Sequence, residues 1–210
     1  MRVSWEGPAG RLEGELWVPE EDAPRALCVV AHPHPLYGGN MHSSVVYRVA
    51  RGMSGAGLGT LRFNFRGVGT SAGVHDEGPG EADDMTSACE WLRGEYPGLS
   101  LWLAGFSFGA RTALLCAQRD EGVERALLVA LPVLAFECPG LDEVTVPTLV
   151  LQAENDDFGN HAAVHEQYPN LPGGVRTACV RGTDHFFEGR LDALEQLVGE
   201  TAESWLEDPT

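Results

Sequence analysis

Residues 99–109 read Leu99-Ser100-Leu101-Trp102-Leu103-Ala104-Gly105-Phe106-Ser107-Phe108-Gly109. An apolar run of strand length, 99–104, leads into Gly-Phe-Ser-Phe-Gly, and good helix formers follow, so a helix is expected over 109–119. A serine at a strand-to-helix turn with glycines two residues away on each side has the form of a nucleophile elbow. The turn is too sharp for side chains at the flanking positions, and it pushes the serine hydroxyl out above the sheet edge. The helix that follows aims its N-terminus at that point, which favours negative charge there. In a chain with 26 glycines the five-residue pattern alone is weak evidence, and the strand before it and the helix after it decide the reading.

Working outward, short apolar runs alternate with helical stretches, the rhythm of an α/β domain with a mainly parallel sheet. Residues 2–6 and 11–18 read as a hairpin around Gly7-Pro8-Ala9-Gly10. Further strands are expected at 26–31, 60–65, 125–131, 148–152 and 175–180. Helices are expected at 43–56, 80–93, 160–168 and 191–206, the last with apolar residues at 191, 194, 197, 198, 202 and 205. No repeat or interdomain linker interrupts the pattern, so residues 1–210 are read as one domain. Residues 132–147 leave room for a loop and one turn of helix, too little for a helical lid, so the site should be open.

Composition narrows the chemistry. A hydrophobic content of 43% can fill a core, and no apolar run reaches membrane-spanning length. The opening residues lack an apolar signal core, and the odd, scattered cysteines 28, 89, 116, 138 and 179 have no CxxC spacing. They read as buried thiols of a reducing compartment, the cytoplasm. A net charge of −17 argues against nucleic acid and against an anionic membrane surface. All 14 basic residues are arginine, so a Schiff-base lysine, a Ser-Lys dyad and a Walker A loop are excluded.

A serine hydroxyl needs a general base, and the base needs an orienting acid. After an elbow of this kind the chain order is Ser, acid, His. Three histidines follow Ser107: His161, His165 and His185. His161 and His165 lie one turn apart on an expected surface helix and read as solvated side chains, since nothing adds ligands to Asp156 or Asp157 for a metal. His185 lies in Gly182-Thr183-Asp184-His185-Phe186-Phe187, on the loop leaving the final strand, where a base can swing onto the serine. Asp156 and Asp157 leave the strand 148–152 on the same edge as Ser107. Asp156 is favoured as the acid and Asp157 is the alternative, with Glu137 and Asp142 less suited; Asp184 is expected to order its own loop.

An oxyanion requires two donors. The backbone N–H of Phe108 is one. The second is expected from His32-Pro33-His34-Pro35-Leu36-Tyr37-Gly38-Gly39, where across 33–35 only His34 has an N–H to give. His32-x-His34 could suggest a metal pair but is read as structural. Tyr37, Met41, Phe106 and Phe186 are candidate walls of the substrate pocket.

These residues together resemble the α/β-hydrolase superfamily over nearly the whole chain. His32-Pro33-His34-Pro35 with Gly38-Gly39, the Ser107 pentapeptide and Asp184-His185-Phe186-Phe187 are similar to small lidless bacterial hydrolases related to dienelactone hydrolases. Residues 64–73, Asn-Phe-Arg-Gly-Val-Gly-Thr-Ser-Ala-Gly, are similar to the loop after the superfamily's fourth strand. The resemblance implies a mainly parallel sheet with helices on both faces and minimal or no cap. It implies Ser107 as nucleophile, Asp156 as acid, His185 as base and the N–H groups of His34 and Phe108 as oxyanion donors. Two departures stand out: the family usually has His-Gly where this chain has Gln152-Ala153, and dienelactone hydrolases proper use cysteine where this chain has Ser107. The expected activity is hydrolysis of a small-molecule carboxylic ester with a small to medium acyl group, with no metal or organic cofactor, by a monomer or homodimer. A thioesterase or peptidase-like hydrolase with the same triad, and a non-catalytic binding protein on the fold, are the alternatives.

Overall fold

In a computed structural model describing residues 1–20 and 22–208, the apolar runs become one eight-stranded sheet. The strands are β1 (Arg2–Gly7), β2 (Gly10–Trp17), β3 (Leu27–Ala31), β4 (Gly59–Phe63), β5 (Leu101–Phe106), β6 (Val123–Val129), β7 (Thr148–Ala153) and β8 (Val175–Val180). Their spatial order is β1-β2-β4-β3-β5-β6-β7-β8. β1 and β2 form the expected hairpin, β2 lies antiparallel to β4, and every other neighbouring pair is parallel. Between the strands run α1 (Ser44–Gly55), α2 (Pro79–Glu95), α3 (Phe108–Arg119) and α4 (His161–Gln167), and α5 (Leu191–Glu207) follows β8.

The central strands are buried on both faces, and their side chains alternate between two cores. Leu101 and Leu103 of β5 join the core under α2 and α3, with Met85, Leu92, Ala113 and Leu114. Trp102, Ala104 and Phe106 point the other way, into the core under α1 and α5, with Val46, Val49, Leu194 and Val198. Helices therefore cover both faces of the sheet, as expected. Cys28, Cys89, Cys116 and Cys138 are buried, and burial pushes the thiols of Cys116 and Cys138 up to about 11 and about 12; Cys179 is only partly buried.

Three strands end elsewhere than their apolar runs suggest. The strand expected over 60–65 is Gly59–Phe63. The strand expected over 99–104 is Leu101–Phe106, because Gly105 and Phe106 still pair with Leu128 and Val129 of β6. The strand expected over 125–131 is Val123–Val129, because Ala130 turns to φ 49° and ends it. The segment joining β6 to β7 is made of turns and contains no helix.

The topology places the site. From β3 the chain moves out to β4 on one side, then crosses back to β5 on the other. The carboxyl ends of β3 and β5 thus flank a switch point, where loops diverge to opposite faces and leave a crevice. The loop bearing His34 leaves β3 there, and Ser107 leaves β5 there.

Candidate active site

Ser107 caps α3 with φ 56° and ψ −118°, in the region that L-residues rarely enter. Its N–H donates to the Val129 carbonyl at 2.9 Å, and its carbonyl accepts from the N–H of Ala110 and Arg111, which fastens the strained residue from both sides. The flanking glycines are a matter of space. A Cβ on Gly105 would overlap the Gly109 carbonyl, and one on Gly109 would overlap the Ala31 carbonyl at the end of β3.

The hydroxyl of Ser107 lies 3.0 Å from His185 Nε2, and His185 Nδ1 lies 2.8 Å from Asp156 Oδ2. The second carboxylate oxygen of Asp156 accepts the Phe158 N–H at 2.8 Å. Asp156 and His185 are buried, whereas the neighbouring Asp157 is exposed. The His185 ring is held by Phe106, Phe158 and Phe186, with centroids 5.0, 4.7 and 5.2 Å away. Asp184 orders the same loop, its carboxylate accepting from the N–H groups of Phe186 and Glu188. The arrangement can take a proton from a hydroxyl, hold it on an imidazole and stabilise the imidazolium with a carboxylate.

The backbone N–H groups of His34 and Phe108 have no acceptor among the described residues. His34 begins a short 3-10 turn, Pro35–Tyr37, and its Nδ1 accepts the Leu36 N–H at 3.2 Å. His32, beside it, is wholly buried and structural. Its Nδ1–H donates to the Pro33 carbonyl at 2.6 Å, and its Nε2 accepts the Phe65 N–H at 3.1 Å, tying the loop after β3 to the loop after β4. Burial lowers the His32 ring to about 4.

A hollow of about 510 Å³ opens beside the site, walled by Pro33, Tyr37, Val45, Phe106, Phe186 and Leu191, with Asp184 and Glu188 at its polar edge. Tyr37 and Phe186 are exposed at its mouth, and Phe106 is its floor. Met41 does not belong there. It is buried away from the hollow, its N–H donating to Asn64 Oδ1 and its carbonyl accepting from Arg62, so it packs the chain against the end of β4. His161 and His165 both meet the Thr177 hydroxyl of β8 at 3.0 Å, away from Ser107.

Two polar arrangements at the site lie outside the residues expected from the sequence. Gln152, legible only as a departure from the family pattern, is wholly buried between the ends of β6 and β7 and bonds Leu131 and Gly159. His75 bonds the buried carboxylate of Glu81 at 2.9 Å, beside the His34 ring. The signal that could have shown the latter is Glu81 at the third position of a helix opening with proline, where a carboxylate turns back onto the preceding N–H groups.

Comparison with other proteins gives consistent results. A family model described as an alpha/beta hydrolase domain matches residues 24–204. An uncharacterised protein of Rickettsia prowazekii (strain Madrid E) is 32% identical over 209 residues, spanning 95% of this chain and 87% of that protein. The structure of an alpha-beta serine hydrolase homologue from Coxiella burnetii superposes with a TM-score of 0.90 at 33% identity, covering 96% of each chain. That of XC6422 from Xanthomonas campestris, described as an a/b serine hydrolase without lid, superposes with a TM-score of 0.91 at 34% identity, covering 100% of this chain and 96% of that one.

Proposed function

The chain belongs to the alpha/beta hydrolase family, and from that premise we propose that it is a serine carboxylesterase using Ser107 as nucleophile, His185 as general base and Asp156 as the acid. The observation that carries the reading is the unbroken line of hydrogen bonds from the serine hydroxyl through the imidazole to a buried carboxylate, 3.0 and 2.8 Å long.

His185 Nε2 takes the Ser107 proton as the oxygen attacks the ester carbonyl. The negative charge that develops on the carbonyl oxygen is met by the backbone N–H groups of His34 and Phe108, both free to donate. Asp156 holds Nδ1–H of His185, fixing the tautomer with its lone pair towards the serine and stabilising the imidazolium. The imidazolium returns its proton to the departing alcohol, whose place is therefore next to His185, in the hollow floored by Phe106. Water, activated by the same imidazole, then cleaves the acyl-enzyme. Esters of small to medium acyl groups fit best, because the connection between β6 and β7 is built of turns and supplies no helical lid to wrap a long chain.

The test is hydrolysis of short p-nitrophenyl esters by the wild type and by Ser107→Ala, with labelling by a fluorophosphonate in parallel. The variant should lose roughly a thousandfold or more of kcat/KM and all labelling. Equal turnover by the two proteins would remove Ser107 from the reaction.

A further inference from the structure

Phe106 and Phe108 flank the nucleophile and belong to the cores on opposite faces of the sheet. His185 packs on Phe106, at 5.0 Å. On the other face two imidazoles pack on Phe108: His34 at 4.9 Å and His75 at 5.8 Å, their own centroids 4.8 Å apart. The site thus carries a second imidazole–carboxylate pair, His75–Glu81, across Ser107 from His185–Asp156, which the ester hydrolysis derived above does not use.

Each of the two rings has one nitrogen engaged and one to spare. Glu81 is wholly buried and accepts His75 Nδ1–H at 2.9 Å, besides the N–H groups of Asp76 and Gly78. In the neutral ring this leaves the Nε2 lone pair of His75 as an acceptor. His34 is set the opposite way: its Nδ1 accepts the Leu36 N–H, so its proton sits on Nε2 as a donor. Among the described residues neither Nε2 has a hydrogen-bond partner. The His75 side chain is 9% exposed, and its unpartnered Nε2 keeps contact with solvent. Burial, with His75 alongside, holds the His34 ring below the usual imidazole range, in keeping with the neutral tautomer.

A donor and an acceptor side by side match one kind of group, a hydroxyl, which accepts from one nitrogen and donates to the other. Resting on the esterase reading above, we infer that His34 and His75 form a hydroxyl-recognising subsite that makes esters of hydroxylated acyl groups the preferred substrates. The hydroxyl belongs to the acyl part because the alcohol must leave on the His185 face to collect its proton. Phe136, stacked on His34 at 6.1 Å and 38% exposed as a residue, supplies an apolar surface beside the polar pair. His75 is thereby assigned to specificity, and Glu81 to positioning it.

The experiment compares kcat/KM at pH 8, above the ordinary imidazole range, for ethyl butanoate, its 2-, 3- and 4-hydroxy derivatives and monoethyl succinate, all sharing one leaving group. The wild type should favour at least one hydroxy ester over ethyl butanoate by about 10-fold or more, since a built polar site discriminates against an analogue lacking its partner. In His75→Phe, which keeps the ring packing, the ratio should fall to within about threefold of unity. His75→Asn, whose amide can still donate to Glu81, should lose the preference likewise and serves if the first variant fails to fold. The inference is overturned if no hydroxy ester exceeds ethyl butanoate, if the preference survives in the folded variants, or if monoethyl succinate is the best substrate, which would mark an anion site. Absence of hydrolysis of every ester by the wild type would instead sink the esterase reading, and this one with it.

Discussion

Gln152 of β7 holds both backbone groups of Leu131, accepting its N–H at 2.8 Å and donating to its carbonyl at 2.9 Å. The same amide donates to the Gly159 carbonyl, so one side chain staples the end of β6 to the loop 154–159 that carries Asp156. Gln152→Leu keeps the volume and strands an N–H and two carbonyls in a dry interior. Urea unfolding should show a loss of about 2–4 kcal/mol. Because the loop under Asp156 is loosened, kcat should fall more than KM rises; an unchanged kcat would show that the loop holds itself.

Asp156 rather than Asp157 faces His185. Asp156→Asn should lower kcat by about 10³ to 10⁴, the cost of the wrong imidazole tautomer, with the fold intact by circular dichroism. Asp157→Asn, at an exposed position, should stay within about twofold of wild type. The opposite ranking would reassign the acid.

Ser107 keeps φ 56° because its neighbours hold it there. Ser107→Ala and Ser107→Gly both remove the hydroxyl, but only glycine removes the Cβ that this backbone region penalises. The glycine variant should therefore be more stable than the alanine variant by about 1–2 kcal/mol in thermal or urea unfolding. Equal stabilities would mean that the elbow stores no strain at this residue.

His32 is neutral and buried, with its ring lowered to about 4. The unfolded chain takes up that proton near the ordinary value of about 6.5, the folded protein only near the lowered one. Between the two the unfolded state binds more protons, so stability rises with pH across this window and falls on acidification, by on the order of 3 kcal/mol in all. Above the window this contribution is fully present. Unfolding free energies at pH 7, 6 and 5 should fall less steeply for His32→Gln than for the wild type.

What the sequence disclosed and what it withheld divide along a physical line. Apolar runs and turn chemistry are local, so the order of strands and helices, the hairpin around residues 7–10 and the elbow at Ser107 were all legible. Strand ends were less so: Gly105 and Phe106 look like the start of a turn yet still pair with β6, a property of the partner strand. Of the site, Ser107, His185 and Asp156 were legible because each follows a strand at one edge. His32 could be read only as structural, since its acceptor role depends on Phe65 in another loop. Met41 misled because its closeness in sequence to the His34 loop says nothing about which side of the chain it faces. Gln152 and His75 stayed hidden for the same reason: amides and imidazoles gain meaning from groups folded against them, and spacing does not record those.

The short turn-built connection between β6 and β7 has a kinetic corollary. With no helix in that connection to swing, the proposed esterase should give progress curves linear from mixing, without a lag at an oil–water boundary. On the esterase reading proposed above, the same connection leaves water a path to the acyl-enzyme, whose acyl group then departs as free acid.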